Sequence, residues 1–459
     1  MMFNSLGFLA FFLISYCLIA LFGWKKELKR SSNLLLLLIN LVYYAFFDYR
    51  CLLILSGLIL WTYYCGLKVS SDKRYLTAGI ILNVAVLFVF KYYGFFAESF
   101  IRLFGLREGS LMRIILPIGI SFYVFKAIAY LADVYQGRCE TESDFVALAV
   151  YISFFPEIVA GPISRADNML KQIKADRNIS LEDLSVGIQM FVIGLFKKTV
   201  IADNISVFVN EVYRAPNIYS SLTILLCVVA YSVEIYMDFS GYSDMAIGCA
   251  RMIGFRSEKN FNLPYVSRNV TEFWKRWHMS LSSWLMRYIY IPLGGNRKGR
   301  SRQYLNLLLT MALGGLWHGA NWTFVVWGIV NGLALIVHKI YASGNRRKEG
   351  GIFSILLTFV FVSLVWVLFR ANTLTNAMEI YSGLISLRGG IDYYSSWAVF
   401  GIAVTFVCTA IAYVRNDKNA YYPLVNLNTV TGLFLFFLLI GLIVGLAYTG
   451  ANPFIYAAF

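Results

Sequence analysis

The chain has 459 residues, of which 59% are hydrophobic and only 14% charged, and its formal net charge is +15. A soluble domain carries about 25% charged residues, so a water-facing surface is excluded for much of this chain and lipid must be its solvent. The positive excess then suits cationic loops held against anionic lipid. It does not suit nucleic-acid binding, for which no soluble module is present.

Hydropathy predicts an all-α polytopic membrane protein, a single membrane domain over 1–459 with roughly a dozen apolar spans. The first run, 6–22, lacks a preceding basic residue and a small-residue cleavage site, so it reads as a retained span and not as a secretory signal. The basic loop 24–30 then belongs on the cytoplasmic side, which puts the N-terminus outside. Further runs cover 33–47, 52–67, 76–96, 114–134 and 145–159. Later ones cover 186–200, 222–236, 305–316, 322–340, 352–369, 398–414 and 431–448. The runs 145–159 and 305–316 fall short of the ~20 residues of a straight span and are expected as inner or re-entrant helices. Both 68–74 and 91–113 are basic, so orientation beyond the first loop stays open. No internal repeat is visible, which counts against a transporter built from inverted halves.

The segment 251–302 holds eleven Lys or Arg against two acids, Glu258 and Glu272. Within it Phe273, Trp277, Leu281, Trp284 or Leu285, and Tyr288 recur at helical spacing, while Lys275, Arg276, Ser282 and Arg287 fall on other faces. That pattern predicts one amphipathic helix at the cytoplasmic interface, ended by Pro292 and Gly294-Gly295. The seven cysteines form no CxxC pair and only three histidines are present, so neither a disulfide framework nor a metal site is expected.

Ionisable groups inside membrane segments are costly, and each is a functional candidate. His318 lies in Gly314-Gly315-Leu316-Trp317-His318-Gly319-Ala320-Asn321-Trp322, between two apolar stretches and among small residues. A neutral imidazole there can take a proton from a hydroxyl and return it to a leaving group, as acyl transfer requires. Asn321 falls on roughly the same face and is placed to orient the ring or to donate to an oxyanion. A His that only hydrogen-bonds a neighbouring helix fits the residues equally well. His278, in Trp274-Lys275-Arg276-Trp277-His278, reads either as a polar residue at a headgroup boundary or as a second site residue. Glu234, Asp238 and Asp244 end an apolar run, with a break expected at Gly241. They are expected to pair with the following basic segment, for instance Arg276 or Arg287, or to line a polar path. His338, before Lys339, reads as interfacial.

Several of these stretches together resemble the membrane-bound O-acyltransferase family, in its bacterial alginate O-acetyltransferase branch. They are Tyr236-Met237-Asp238-Phe239-Ser240-Gly241-Tyr242-Ser243-Asp244, Asn262-Leu263-Pro264-Tyr265, Glu272-Phe273-Trp274-Lys275-Arg276-Trp277-His278, Tyr290-Ile291-Pro292-Leu293-Gly294-Gly295-Asn296-Arg297 and the run around His318. Pro117-Ile118-Gly119-Ile120-Ser121-Phe122, Phe155-Pro156-Glu157-Ile158-Val159-Ala160-Gly161-Pro162-Ile163 and Asn452-Pro453-Phe454-Ile455-Tyr456 fit the same branch. The resemblance runs from about Pro117 onward; it divides the domain into 1–116, a core 117–342 carrying the motifs, and 343–459.

The resemblance implies a ring of transmembrane helices around a thin central region with short inner helices and a tunnel. It implies His318 as the catalytic histidine and His278 as a second functional one, with Trp317, Asn321, Asp238, Ser240 and Trp277 as substrate-channel candidates. It further implies no bound cofactor or metal, and a multi-pass protein of the bacterial cytoplasmic membrane. An acyl group, acetyl in this branch, comes from a cytoplasmic donor such as acetyl-coenzyme A or an acyl carrier. It passes to an extracytoplasmic polysaccharide with an SGNH-hydrolase-like partner. A conduit whose partner performs the transfer, and D-alanyl transfer to teichoic acid, are the alternatives. The Gly-Ala-Asn-Trp sequence after His318 favours the acetyl branch. On this reading His318 sits within the membrane and His278 at the basic cytoplasmic face, joined by a polar path.

Overall fold

The computed structural model describes residues 2–23, 29–106, 114–176, 179–344, 351–415, 425–450 and 454. Three sequence expectations therefore lie partly outside the described residues: the first basic loop at 24–28, the basic stretch at 107–113 and the C-terminal motif around Phe454. Among the described residues the chain is helical, with a single isolated bridge between Tyr219 and Ile391. Eight helical segments among the described residues are long and apolar enough to cross a membrane, and Leu6–Leu21 and Val430–Leu446 are shorter apolar helices. The all-α polytopic expectation is met.

The helices are α1 (Leu6–Gly23), α2 (Lys29–Asp48), α3 (Cys51–Lys68), α4 (Lys73–Leu87), α5 (Tyr93–Leu103), α6 (Ile120–Tyr135), α7 (Phe145–Ser153) and α8 (Ala166–Lys174). They continue as α9 (Leu181–Phe196), α10 (Asp203–Arg214), α11 (Ser221–Met252), α12 (Val270–Arg276), α13 (Met279–Leu285) and α14 (Arg300–His318). The last are α15 (Trp322–Gly344), α16 (Gly351–Arg370), α17 (Leu374–Ile385), α18 (Ser396–Val414) and α19 (Val430–Leu446). The chain forms two compact units, one of Met1–Ile188 with Ala246–Glu258, the other of Gln189–Met245 with Lys259–Phe459.

In the first unit α6 and α7 are the inner helices. Residues Ile120 to Val134 of α6 are all buried, and so are Ala147 to Ser153 of α7. A helix buried on every face needs protein on every face, and its polar side chains need partners there. The expected span at 114–134 is corrected to this shorter helix: Pro117 and a left-handed Gly119 precede it, and a Cβ on Gly119 would lie 2.0 Å from the Ile158 carbonyl oxygen. The buried ammonium of Lys126 pairs with Glu157 at 2.6 Å, and the hydroxyls of Ser164 and Ser257 donate to the same carboxylate. Burial is tolerated because both charges are hydrogen-bonded as well as paired.

From α11 onward three expectations change. The helix α11 runs 32 residues without a break at Gly241. There the glycine serves close helix packing: a Cβ on Gly241 would lie 2.7 Å from the Gly194 carbonyl oxygen, and one on Gly194 2.4 Å from that of Gly241. The run at 305–316 is not a short inner helix but part of the 19-residue α14, because the charged turn from Arg300 is helical too. The single amphipathic helix expected across 273–288 is two helices, α12 and α13, followed by a π-helical turn at Met286–Tyr290. They part at His278, whose φ of 43° is left-handed and incompatible with a continuing α-helix.

Candidate functional site

His278 occupies the turn between α12 and α13 and is fully buried. Asn269 caps α12 by accepting from the Glu272 amide, and Thr271 Oγ1 lies 2.8 Å from His338 Nδ1 on α15, so α12 is anchored at its start. The His278 Nδ1 is 3.0 Å from Asn260 Oδ1, and its ring meets the Phe239 ring edge-on at 4.6 Å. Neither α12 nor α13 is a spanning helix; burial in this turn pushes the His278 imidazole down to about 3, so it is neutral at working pH.

His318 is the last residue of α14 and is also buried. Its position follows from how α14 meets α15. A Cβ on Gly315 would fall 2.2 Å from the Phe324 carbonyl oxygen, and one on Gly328 2.3 Å from that of Met311, so the two backbones touch. This brings Trp327 of α15 edge-on to the His318 ring at 5.2 Å, with Phe369 of α16 at 5.2 Å and Trp317 at 5.0 Å. Trp327 in turn stacks on Trp366 at 5.7 Å. Aromatic walls of this kind exclude water and fix ring orientation.

The two histidines are neighbours, their ring centroids 6.4 Å apart. This corrects the expectation that His278 stands apart from His318. A positive φ at a non-glycine residue turns the chain inward after α12, and spacing along an assumed continuous helix does not foresee that. Trp317 stands beside both rings, 6.0 Å from His278. Trp277 lies one layer behind, packed on Phe261 at 5.0 Å and Trp366 at 4.9 Å.

The other expected residues divide. Asp238 is buried and pairs with Lys198 at 2.5 Å, while Lys198 also pairs with Asp203 at 2.7 Å and Asp244 pairs with Lys197 at 2.6 Å. Asp238 and Asp244 of α11 thus pair with two lysines of the π-helical segment Lys197–Ala202, not with Arg276, which bonds Glu272 at 2.7 Å. Ser240 is fully buried, and its hydroxyl has no hydrogen-bond partner among the described residues. The amide of Asn321 is committed elsewhere: Oδ1 accepts from the Thr323 amide to start α15, and Nδ2 donates to the Asn372 carbonyl. Sequence reading did not single out Asn260, Lys197, Lys198 or Trp327. The two lysines carried a signal, since they stand inside the apolar run 186–200.

Residues 141–374 match the membrane-bound O-acyltransferase (MBOAT) family. A protein of Pseudomonas putida named "Probable alginate O-acetylase AlgI" is 39% identical over 368 residues, 78% of this chain and 76% of that protein. The peptidoglycan O-acetyltransferase of Helicobacter pylori is 36% identical over 422 residues, 84% of this chain and 78% of that protein. The teichoic acid D-alanyltransferase of Bacillus subtilis is 26% identical over 341 residues, 70% of this chain and 84% of that protein. The matched stretch contains both buried histidines, and the chain belongs to the membrane-bound O-acyltransferase family.

Proposed function

We propose that this membrane O-acyltransferase moves an acetyl group from a cytoplasmic thioester donor, acetyl-coenzyme A or an acyl carrier, to hydroxyls of an extracytoplasmic polysaccharide in the bacterial cytoplasmic membrane. The observation that carries this reading is the pair of buried histidines 6.4 Å apart within aromatic walls. Named relatives acting on alginate and peptidoglycan support acetyl and a glycan as the two substrate classes.

In this reading His318 is the general base. It takes the proton of the attacking hydroxyl as the oxygen adds to the thioester carbonyl, then returns it to the departing thiolate. His278, neutral through burial, stands beside the same reacting centre and accepts a hydrogen bond from the attacking hydroxyl or from an N–H of the thioester donor. Trp317, beside both rings, lines the path with Trp277 and Ser240 behind it, and the Lys198–Asp238 pair holds α11 in place. The basic segment 251–302 attracts the anionic donor. An SGNH-hydrolase-like partner completes delivery to the polymer.

The test uses membrane vesicles with the cytoplasmic face outward, supplied with labelled acetyl-coenzyme A. Alkali-labile label in polysaccharide supports the reading. Ester-linked alanine lost from a deletion strain, with acetate unchanged, contradicts it in favour of D-alanyl transfer. Label that stays on coenzyme A until a purified partner is added assigns the bond-making step to the partner.

A further inference from the structure

A single residue of the second unit, through its side chain and its backbone carbonyl, grips three consecutive residues of the left-handed turn that carries His278. Asn260 is fully buried. Its backbone carbonyl accepts from the Met279 amide at 2.8 Å, and its Oδ1 accepts from the Ser280 amide at 3.3 Å and from Ser280 Oγ at 2.9 Å. Its Nδ2 donates to Ser243 Oγ on α11 at 3.1 Å. The remaining contact is His278 Nδ1, 3.0 Å from the same Oδ1.

This set of partners decides a question that imidazole geometry alone leaves open. Either end of an Asn amide fits a serine hydroxyl, and either ring nitrogen can carry the proton. A backbone amide, however, only donates. The Ser280 N–H therefore fixes which end of the Asn260 amide is oxygen, and the oxygen fixes the proton of His278 on Nδ1. We propose that Asn260 is a positioning residue that holds His278 in its Nδ1–H tautomer and leaves Nε2 as the ring's proton-accepting atom. A carboxamide suits this role better than a carboxylate, because it sets the tautomer without bringing a charge into a buried, water-poor place. The same contacts hold the φ of 43° at His278, a conformation that persists only where its surroundings over-determine it. The consequence for chemistry rests on the acyl-transfer reading above: Nε2 accepts a hydrogen bond from a donor or acceptor group and does not donate one to an oxyanion.

The test reads the tautomer directly. The chain has three histidines, so ¹⁵N-histidine labelling of the full-length protein in lipid nanodiscs gives three ring-nitrogen pairs, assigned with His278→Gln and His338→Gln. The wild type is expected to show Nδ1 protonated and Nε2 bare at His278. Asn260→Asp, which keeps the acceptor oxygen, is expected to keep Nδ1 protonated. Asn260→Leu is expected to give a tautomer mixture and to lower acetyl transfer by on the order of 10²-fold, the scale of a mispositioned acid–base group. A wild-type Nε2–H tautomer overturns the assignment, as does an unchanged Nδ1–H signal in Asn260→Leu. If Asn260→Leu does not fold, the wild-type and Asn260→Asp spectra still decide. Full acetyl transfer by His278→Gln would remove the acyl-transfer reading while leaving the tautomer result to stand or fall by itself.

Discussion

The rings of His278 and His318 stand 6.4 Å apart, although one follows a seven-residue helix and the other ends a 19-residue one. A left-handed residue at the first and a glycine contact behind the second bring them together. One reacting carbonyl can then be within reach of both, and the two side chains act on the same event.

Residues that serve one step lose their effects together. His318→Ala is expected to lower acetyl transfer by about 10²- to 10⁴-fold, and His278→Gln by a similar factor. The double variant should fall little further than the worse single one. Acetate release from polysaccharide, at matched protein levels in the membrane, reads all three.

The helix pair carrying His318 tolerates no added methyl where its backbones touch. Gly328→Ala places a Cβ 2.3 Å from the Met311 carbonyl oxygen. Overpacking of this kind costs roughly 1–3 kcal/mol, so thermal unfolding in detergent should occur at a lower temperature. Activity should fall beyond the loss of folded protein, because His318 rides on α14. Gly57→Ala, with nothing within 4 Å of the new methyl, serves as the control.

Lys198 holds two carboxylates, Asp203 and Asp238, within the helical layer behind the site. Lys198→Met removes the shared cation, and breaking a buried pair costs about 3–5 kcal/mol. Yield of folded protein should drop sharply. Adding Asp238→Asn should restore part of it, with a coupling of roughly 0.5–3 kcal/mol in a double-mutant cycle.

Burial holds His278 neutral, with its folded value pushed down to about 3 against an ordinary 6.5. The unfolded chain takes up a proton that the folded chain refuses. The stability associated with the neutral ring is therefore fully present above about 6.5 and is lost as pH falls from there towards the folded value. Thermal unfolding measured down this range should show a shallower acid slope for His278→Gln than for the wild type.

Much of this was legible in the sequence. Apolar runs located most of the spanning helices, and the shortness of 145–159 foretold the buried α7. His318 and His278 stood out as imidazoles in an apolar context. The joining of the two was not legible, because it depends on a positive φ at His278 that no helical periodicity encodes. Gly241 read as a break because the sequence does not reveal that Gly194 meets it. Asp238 and Asp244 were expected to find arginines later in the chain, yet Lys198 and Lys197 pair with them from a π-helical segment. Asn260 carries no local signal at all; its role appears only once the turn after α12 folds back on it.

If His318 moves the proton in acyl transfer, its removal must deplete acetate from the polymer. Alkali-labile acetate is quantified in the envelope polysaccharide of cells whose sole copy of the protein carries His318→Ala, with membrane abundance matched to wild type. Acetate is expected to fall by at least about 10²-fold. Acetate at the wild-type level would contradict it.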